Sequence, residues 1–240
     1  VLSWGRPVQE FVFSLRKFPE FKVVAAVLFL VFLAGAGGAG YFAARFYAAD
    51  MNFLFGQDTG GINITRRLDS GLEAVRLNPY QAEYKISLAR LYLSRALEEL
   101  REPESERDQN GISKDVQLAL AYAKEATQLS PKRVAAWETQ GFVYRDIAFA
   151  AGAQEWAIRS FEAAIALEPT NPALHTELGK LYAADEQNDK ARNEFEKAAV
   201  LKPDYVEAQR QFALVFEKEK DVNTAIAKMK DIVLRYPLDV

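Results

Sequence analysis

The chain has 240 residues, half of them hydrophobic, and a formal net charge of −3. So nearly balanced a charge gives no sign of a nucleic-acid footprint, and no nucleic-acid partner is expected. With no cysteine and one histidine, disulfides, thiol catalysis and cysteine- or histidine-based metal clusters are excluded too, though the compartment is not fixed.

The first residue is Val1, which reads as a chain processed or cut from something longer. Residues 1–22 set Arg6, Arg16, Lys17 and Lys22 among apolar residues, with Val8, Phe11, Val12, Leu15 and Phe18 roughly on one helical face. That pattern suits a juxtamembrane helix lying on a membrane, and equally the tail of a loop in a larger membrane protein. From Val23 to Ala44 run 22 residues without a charge. A helix of that length spans about 33 Å, against a hydrocarbon core of about 30 Å. Lys22 and Arg45 bracket it, and Tyr41, Phe42, Phe46 and Tyr47 gather near one end as interface aromatics do. Residues 23–45 are therefore expected to form one transmembrane helix. Four basic residues precede the span, and after Arg45 the next are Arg66 and Arg67. The positive-inside rule then places the N-terminus in the cytoplasm and the rest outside it.

Gly35, Gly37 and Gly40 match G-x-G-x-x-G. The apolar run ahead of them is long for a strand, however, and no strand–helix alternation follows, so a dinucleotide-binding turn is set aside. Small residues four apart, Gly35 with Ala39 and Ala36 with Gly40, instead offer a close-packing face to another transmembrane helix. A cleavable signal peptide is a further reading, disfavoured by the long basic region and the long apolar span.

Between Val134 and Pro203 the chain repeats itself. Trp137, Gly141, Tyr144, Ala157, Phe161, Ala164 and Pro169 recur as His175, Gly179, Tyr182, Ala191, Phe195, Ala198 and Pro203. Residues three or four apart share a helix face. The first three positions make a stripe on one helix, A, and the next three a stripe on a second, B. Small residues let the two backbones approach, aromatics fill the gap beside them, and proline ends helix B. The pattern resembles the tetratricopeptide repeat, a 34-residue helix-turn-helix unit. The resemblance implies a right-handed α-solenoid of tetratricopeptide helix pairs, so with the N-terminal transmembrane helix ahead of it the expected fold is all-α.

The repeat at 134–171 has four extra residues near Asp146 to Gln154, which are expected to lengthen helix A as far as Gly152. The repeat at 172–205 has the standard length. The terminal repeat, 206–240, keeps Phe212, Ala213, Phe216, Ala225, Met229 and Pro237 in phase. No polar capping helix follows it, so its last helix is expected to be exposed, covered by a partner, or continued by more chain. Counting backwards, residues 82–133 form a repeat with an 18-residue insert around Ser94 to Asp115. A helix A extended by a turn or two and then a solvent loop is expected there, broken by Pro103 and Gly111, and partner binding is one reading of that loop. Residues 48–81 form a degenerate repeat, with Arg67 where a small residue belongs. Its helix A, with Met51, Leu54 and Phe55, starts where the membrane span ends, so one continuous helix is expected to leave the bilayer and open the solenoid. Asp58-Thr-Gly-Gly makes the following turn, and Asn63-Ile64-Thr65 fits the glycosylation sequon.

No catalytic constellation, phosphate loop or zinc spacing occurs, so the chain is read as a non-enzyme that needs no cofactor or metal. His175 stands where Trp137 stands one repeat earlier and reads as a packing residue. In the tetratricopeptide family, helix-A residues facing away from helix B line a concave groove that binds peptides or protein segments. Carried over by position, the groove would hold Arg90, Glu138, Phe142, Arg145, Lys180, Arg210 and Leu214, with Glu83 and Glu217 as further candidates. Direct glycan binding would need groove aromatics, and only Phe142 qualifies.

The phrases LNPYQAEYKISLARLYLSRA and GAQEWAIRSFEAAIALEPTNP are similar to the tetratricopeptide tail of some bacterial O-antigen ligase and polymerase-like membrane proteins. This narrower resemblance covers roughly Ala48 to Val240 and implies a bacterial inner-membrane setting. Two functional expectations follow. One is a membrane-anchored scaffold recruiting a protein partner outside the cytoplasm. The other is the non-catalytic C-terminal part of a glycan-handling enzyme.

Overall fold

The computed structural model describes residues 19–57, 63–147, 150–218 and 220–236. The segment 1–18, the turn expected at 58–61 and Pro237 lie outside the described residues. Those described form α-helices and no strand. The helices are α1 (Pro19–Gln57), α2 (Ile64–Leu77), α3 (Ala82–Glu99), α4 (Gln109–Leu129), α5 (Val134–Asp146), α6 (Ala153–Leu167), α7 (Pro172–Ala184), α8 (Asn188–Leu201), α9 (Val206–Lys218) and α10 (Val222–Arg235). The chain divides into two compact units between Ala48 and Ala49.

In the first unit α1 is unbroken, and Gly35, Gly37 and Gly40 lie within it, so no strand-to-helix turn exists there. It is the one helix among the described residues long and apolar enough to cross a membrane. Its apolar side chains from Val23 to Leu33 are all exposed.

The second unit starts with the last turns of α1. Ala49 is fully buried in a cluster with Ala74 and Tyr84, the Phe53 ring packs 4.8 Å from that of Tyr84, and the Tyr84 hydroxyl donates to Asp50. Where the 134–171 and 172–205 repeats carry Phe161 and Phe195, α2 has Gly71, and Leu88 of α3 fills the space: a Cβ on Gly71 would stand 2.8 Å from its Cδ2. The degenerate repeat thus closes with a side chain borrowed from its neighbour.

From α3 onward, helices pack chiefly on their neighbours in sequence, and A helices also touch the A helix of another repeat, α3 on α5 and α7 on α9. This is single-file stacking, in which each repeat buries only what its neighbours cover. Within a repeat the small position of helix A faces the aromatic of helix B. A Cβ on Gly141 would lie 2.7 Å from the Phe161 ring, and one on Gly179 would lie 2.6 Å from that of Phe195. Both rings are completely buried, as are Ala157, Ala164, Ala191 and Ala198 beside them.

Proline acts one residue ahead of itself. Helices α2, α4, α6 and α8 all stop on leucine, two residues before Pro79, Pro131, Pro169 and Pro203. The intervening Asn78, Ser130, Glu168 and Lys202 have ψ of 89°, 69°, 77° and 91°, because the proline ring bars the preceding residue from helical geometry. Their N–H groups still donate back to Ala74, Ala126, Ala164 and Ala198. The prolyl carbonyl is then caught by the next helix A. Trp137 Nε1 donates to Pro131 O at 2.8 Å, His175 Nε2 meets Pro169 O at 2.9 Å, and the Gln209 amide donates to Pro203 O. A carbonyl only accepts, so His175 Nε2 carries a proton. Buried and engaged at both nitrogens, the second by Glu194 Oε2 at 2.6 Å, His175 is a structural residue.

Two expectations need correction. Helix A of the 134–171 repeat does not reach Gly152. It ends at Asp146 and has 13 residues, like α7 and α9. Ile147 turns into the core at 3 % exposure, and Gly152 adopts a left-handed φ of 77° as the N-cap of α6, a conformation that is cheap only for glycine. The extra residues therefore lengthen the link and leave the helix unchanged. In the 82–133 repeat α3 does run on to Glu99, but α4 also begins early, at Gln109, so the loop is shorter than the insert. The Asp108 side chain caps α4 by accepting from Gly111 N at 3.0 Å, which puts Gly111 in the first turn and not at a break. Asp115, nearly fully buried, accepts two hydrogen bonds of 2.5 Å from Arg95 and ties the extended helices together.

Candidate partner-binding face

Helices α3, α5, α7 and α9 engage most of the sequence-predicted groove residues in ion pairs that cross from one repeat to the next. Arg90 on α3 reaches α5, where its Nε donates to Thr139 Oγ1 at 3.0 Å and its guanidinium stands 3.8 Å from Glu138. Arg145 on α5 reaches α7, donating to Glu177 at 2.5 Å and to Asp146 at 2.7 Å. Its guanidinium lies over the Phe142 ring, 4.7 Å from the centroid, and that ring sits edge-on to Phe161. Lys180 on α7 bridges Glu177 at 2.9 Å and Glu207 of α9 at 3.0 Å. Arg210 then holds Glu207 with its Nε at 3.1 Å.

The result is an alternating ladder of charge along the A helices. Burial alone would raise the Glu207 pKa, but hydrogen bonds from Arg210, Gln211 and Lys180 outweigh it and hold the carboxyl at about 2. For Arg145 and Lys180 burial opposes the charge, yet Asp146 and Glu177 around the first, and Glu177 and Glu207 around the second, push both above their ordinary values. These half-buried charges are satisfied by one another. The face is polar, mixed in sign and pre-organised, with the Phe142 ring under Arg145 as its aromatic element.

Not every expected residue joins. Glu83 pairs with Arg133 near the start of α5. Leu214 is half-buried one turn beyond Arg210. Glu217 instead borders an apolar pocket of about 570 Å³ along α10, with Val222, Ile226 and Val233. On α1, nothing lies within 4 Å of a Cβ built on Gly35 or Gly40, so that face is open. The sequence reading missed Glu177 and Glu207, the two carboxylates that link the ladder. Each stands three residues before its cation, Lys180 or Arg210, a spacing that pairs side chains on a helix. Among the described residues no group of three or more His, Asp or Glu could hold a metal ion.

Residues 146–186 match the family model described as TPR repeat. Over those residues the chain is similar to tetratricopeptide repeats. Comparison with curated proteins gives no significant match. Among solved structures, the tetratricopeptide unit is similar to MamA from Desulfovibrio magneticus RS-1, with a TM-score of 0.61 and 20 % identity over 80 % of this chain and 98 % of that one. It is similar to TTC0263, a tetratricopeptide protein of Thermus thermophilus, with a TM-score of 0.55 and 20 % identity over 82 % and 93 %. It is also similar to YrrB, described as a tetratricopeptide protein with an unusual peptide-binding site, with a TM-score of 0.58 and 13 % identity over 78 % and 86 %. At these identities the likeness establishes the fold: an α-solenoid of tetratricopeptide helix pairs.

Proposed function

We propose that this chain is a membrane-anchored tetratricopeptide scaffold that holds a protein or peptide segment along the helix-A face, outside the cytoplasm. The observation carrying this is a set of ion pairs on the A helices, Arg90 with Glu138 and then Arg145 through Glu177, Lys180 and Glu207 to Arg210, which fixes charged groups of both signs along successive repeats. An extended segment lying across it would find donors and acceptors at each repeat, with side-chain rotamers already restrained. The peptide-binding site named for YrrB supports a peptide as the occupant of such a unit. The exposed apolar run of α1 supports anchoring through residues 23–44, and the basic residues ahead of it support a cytoplasmic N-terminus. The open small-residue face at Gly35, Ala36, Ala39 and Gly40 suits a neighbouring transmembrane helix.

The test is affinity capture of partners by the membrane-reconstituted chain, with Arg145→Glu and Arg210→Glu variants alongside. Loss of a captured partner in both variants is the expected result. Capture unchanged in both contradicts the helix-A face as the binding surface. The second reading, the non-catalytic tail of an O-antigen ligase-like enzyme, rests on the sequence phrases alone. Further hydrophobic spans encoded upstream of Val1 would favour it over the scaffold.

A further inference from the structure

Helix pairs give the second unit two edges. The turns that lead from each helix B to the next helix A lie at one, and the links inside each pair lie at the other. The chain enters this unit at the first edge: Ala49 packs with Ala74 near the end of α2 and with Tyr84 near the start of α3, so it stands by the α2–α3 turn. Five residues carry the chain from Ala44, the last of the uncharged run, to Ala49. Fully extended they reach about 17 Å. Whatever angle the chain takes there, this edge is tethered close to the end of the apolar run.

The turn at that place carries a residue suited to lipid. Directly after their prolines, the turns at this edge hold Tyr80, Lys132, Thr170 and Asp204. Of these only Tyr80 is aromatic, and it belongs to the turn by Ala49. Its side of the turn faces solvent, at 76 % exposure, while its N–H donates to Asn78 Oδ1 at 3.3 Å and holds the turn in shape. A tyrosine ring, apolar in body and polar at its tip, is at home at the headgroup level of a bilayer. The next turn along the edge carries exposed Lys132 and Arg133, the latter paired with Glu83. The opposite edge of that repeat is the link after α3, where Glu102, Glu104, Glu106 and Asp108 outnumber Arg101 and Arg107. A surface of anionic lipid attracts the first edge and repels the second.

We propose that the α2–α3 turn rests on the bilayer surface, with the Tyr80 ring among the lipid headgroups. The proposal rests on the anchoring through residues 23–44 and adds to it a second contact with lipid, made by the repeats themselves. Two points of attachment restrict the swing of the solenoid about its tether, so that a partner meets a surface already oriented.

The chain has no cysteine, so one introduced cysteine carries one nitroxide label. Gln81→Cys places it beside Tyr80, at an exposed position whose side chain makes no cap hydrogen bond. The full chain is held in nanodiscs of phosphatidylcholine and phosphatidylglycerol. The readout is the ratio of label relaxation by oxygen, which favours lipid, to relaxation by a water-soluble nickel chelate. That ratio is expected to be several-fold higher at position 81 than at Thr170→Cys, in a later turn of the same edge, or at Glu104→Cys on the opposite edge. Tyr80→Ser should bring it down to those references. Val31→Cys, inside the apolar run, should give the highest ratio of all. A ratio at 81 equal to the references, with 31 in lipid, overturns the surface contact and leaves the anchor standing. A raised ratio at 81 that survives Tyr80→Ser also overturns the proposal, because the ring is then not the contact. Position 31 in water overturns the anchor and the surface contact together.

Discussion

The inner repeats and the terminal repeat are built on one pattern yet end in opposite states. In the 134–171 and 172–205 repeats the helix-B aromatics, Phe161 and Phe195, are sealed on all sides. In the last repeat Met229 takes that position and is only half-buried, with Ile226 and Val233 open next to it. The difference teaches that a helix pair of this kind is half of a structure. Its internal stripe closes within the repeat, but its outer stripe closes only when the next helix arrives, so burial at any position depends on what lies one repeat further along.

That comparison can be broken most forcefully in the core. Phe161→Ala is expected to cost about 3–5 kcal/mol, whereas Met229→Ala should cost about 1 kcal/mol because its site is already open. Denaturant unfolding of the two variants measures both, and equal losses would erase the distinction. Next is Gly179→Ala. The added Cβ would sit 2.6 Å from the Phe195 ring, and overpacking of this kind costs about 1–3 kcal/mol. Gly35→Ala, with nothing within 4 Å, should leave the melting of the solenoid where it was. A smaller effect is expected from the ladder. Lys180→Met removes the bridge between Glu177 and Glu207 and should cost about 1 kcal/mol, since the groups remain partly in water.

The ladder also has a pH signature. Glu207 is held at about 2 against an ordinary 4.5, so between those values the folded chain binds fewer protons than the unfolded one. Its contribution is complete above about pH 4.5 and is lost as the pH falls toward about 2. Glu207→Gln should flatten that part of the stability–pH curve, as read by urea midpoints. Within the solenoid the smallest effect is expected at the open face of α10: Ile226→Glu with Val233→Glu should move stability by no more than about 0.5 kcal/mol.

Much of this architecture was legible in the residues. The alternation of Gly141 with Phe161, and of Gly179 with Phe195, announced which backbones approach and what fills the gap, because both partners lie within one repeat. The prolines announced the helix ends to within two residues. Features set by partners a full repeat away were less readable. Arg145 finds Glu177 across 32 residues, and no local pattern connects them. The early start of α4 depends on Arg95 meeting Asp115 across the hairpin, and Gly111 as an isolated residue argued for a break. The extra residues after Asp146 fitted one helical turn by number, and only the left-handed Gly152 shows that they form a link. The candidate face follows the same division. Its cations were identified from repeat position, while the carboxylates that organise them became visible once the A helices were set side by side.

The central claim, that partner recruitment uses the helix-A face, is tested most directly by site-specific photo-crosslinking in cells. A photoreactive amino acid would replace Phe142 or Leu214 on that face and, as the reference, Arg159 or Glu196 on the B helices. The account predicts a common crosslinked partner from positions 142 and 214 and none from 159 or 196. Crosslinks confined to the B-helix positions would contradict it.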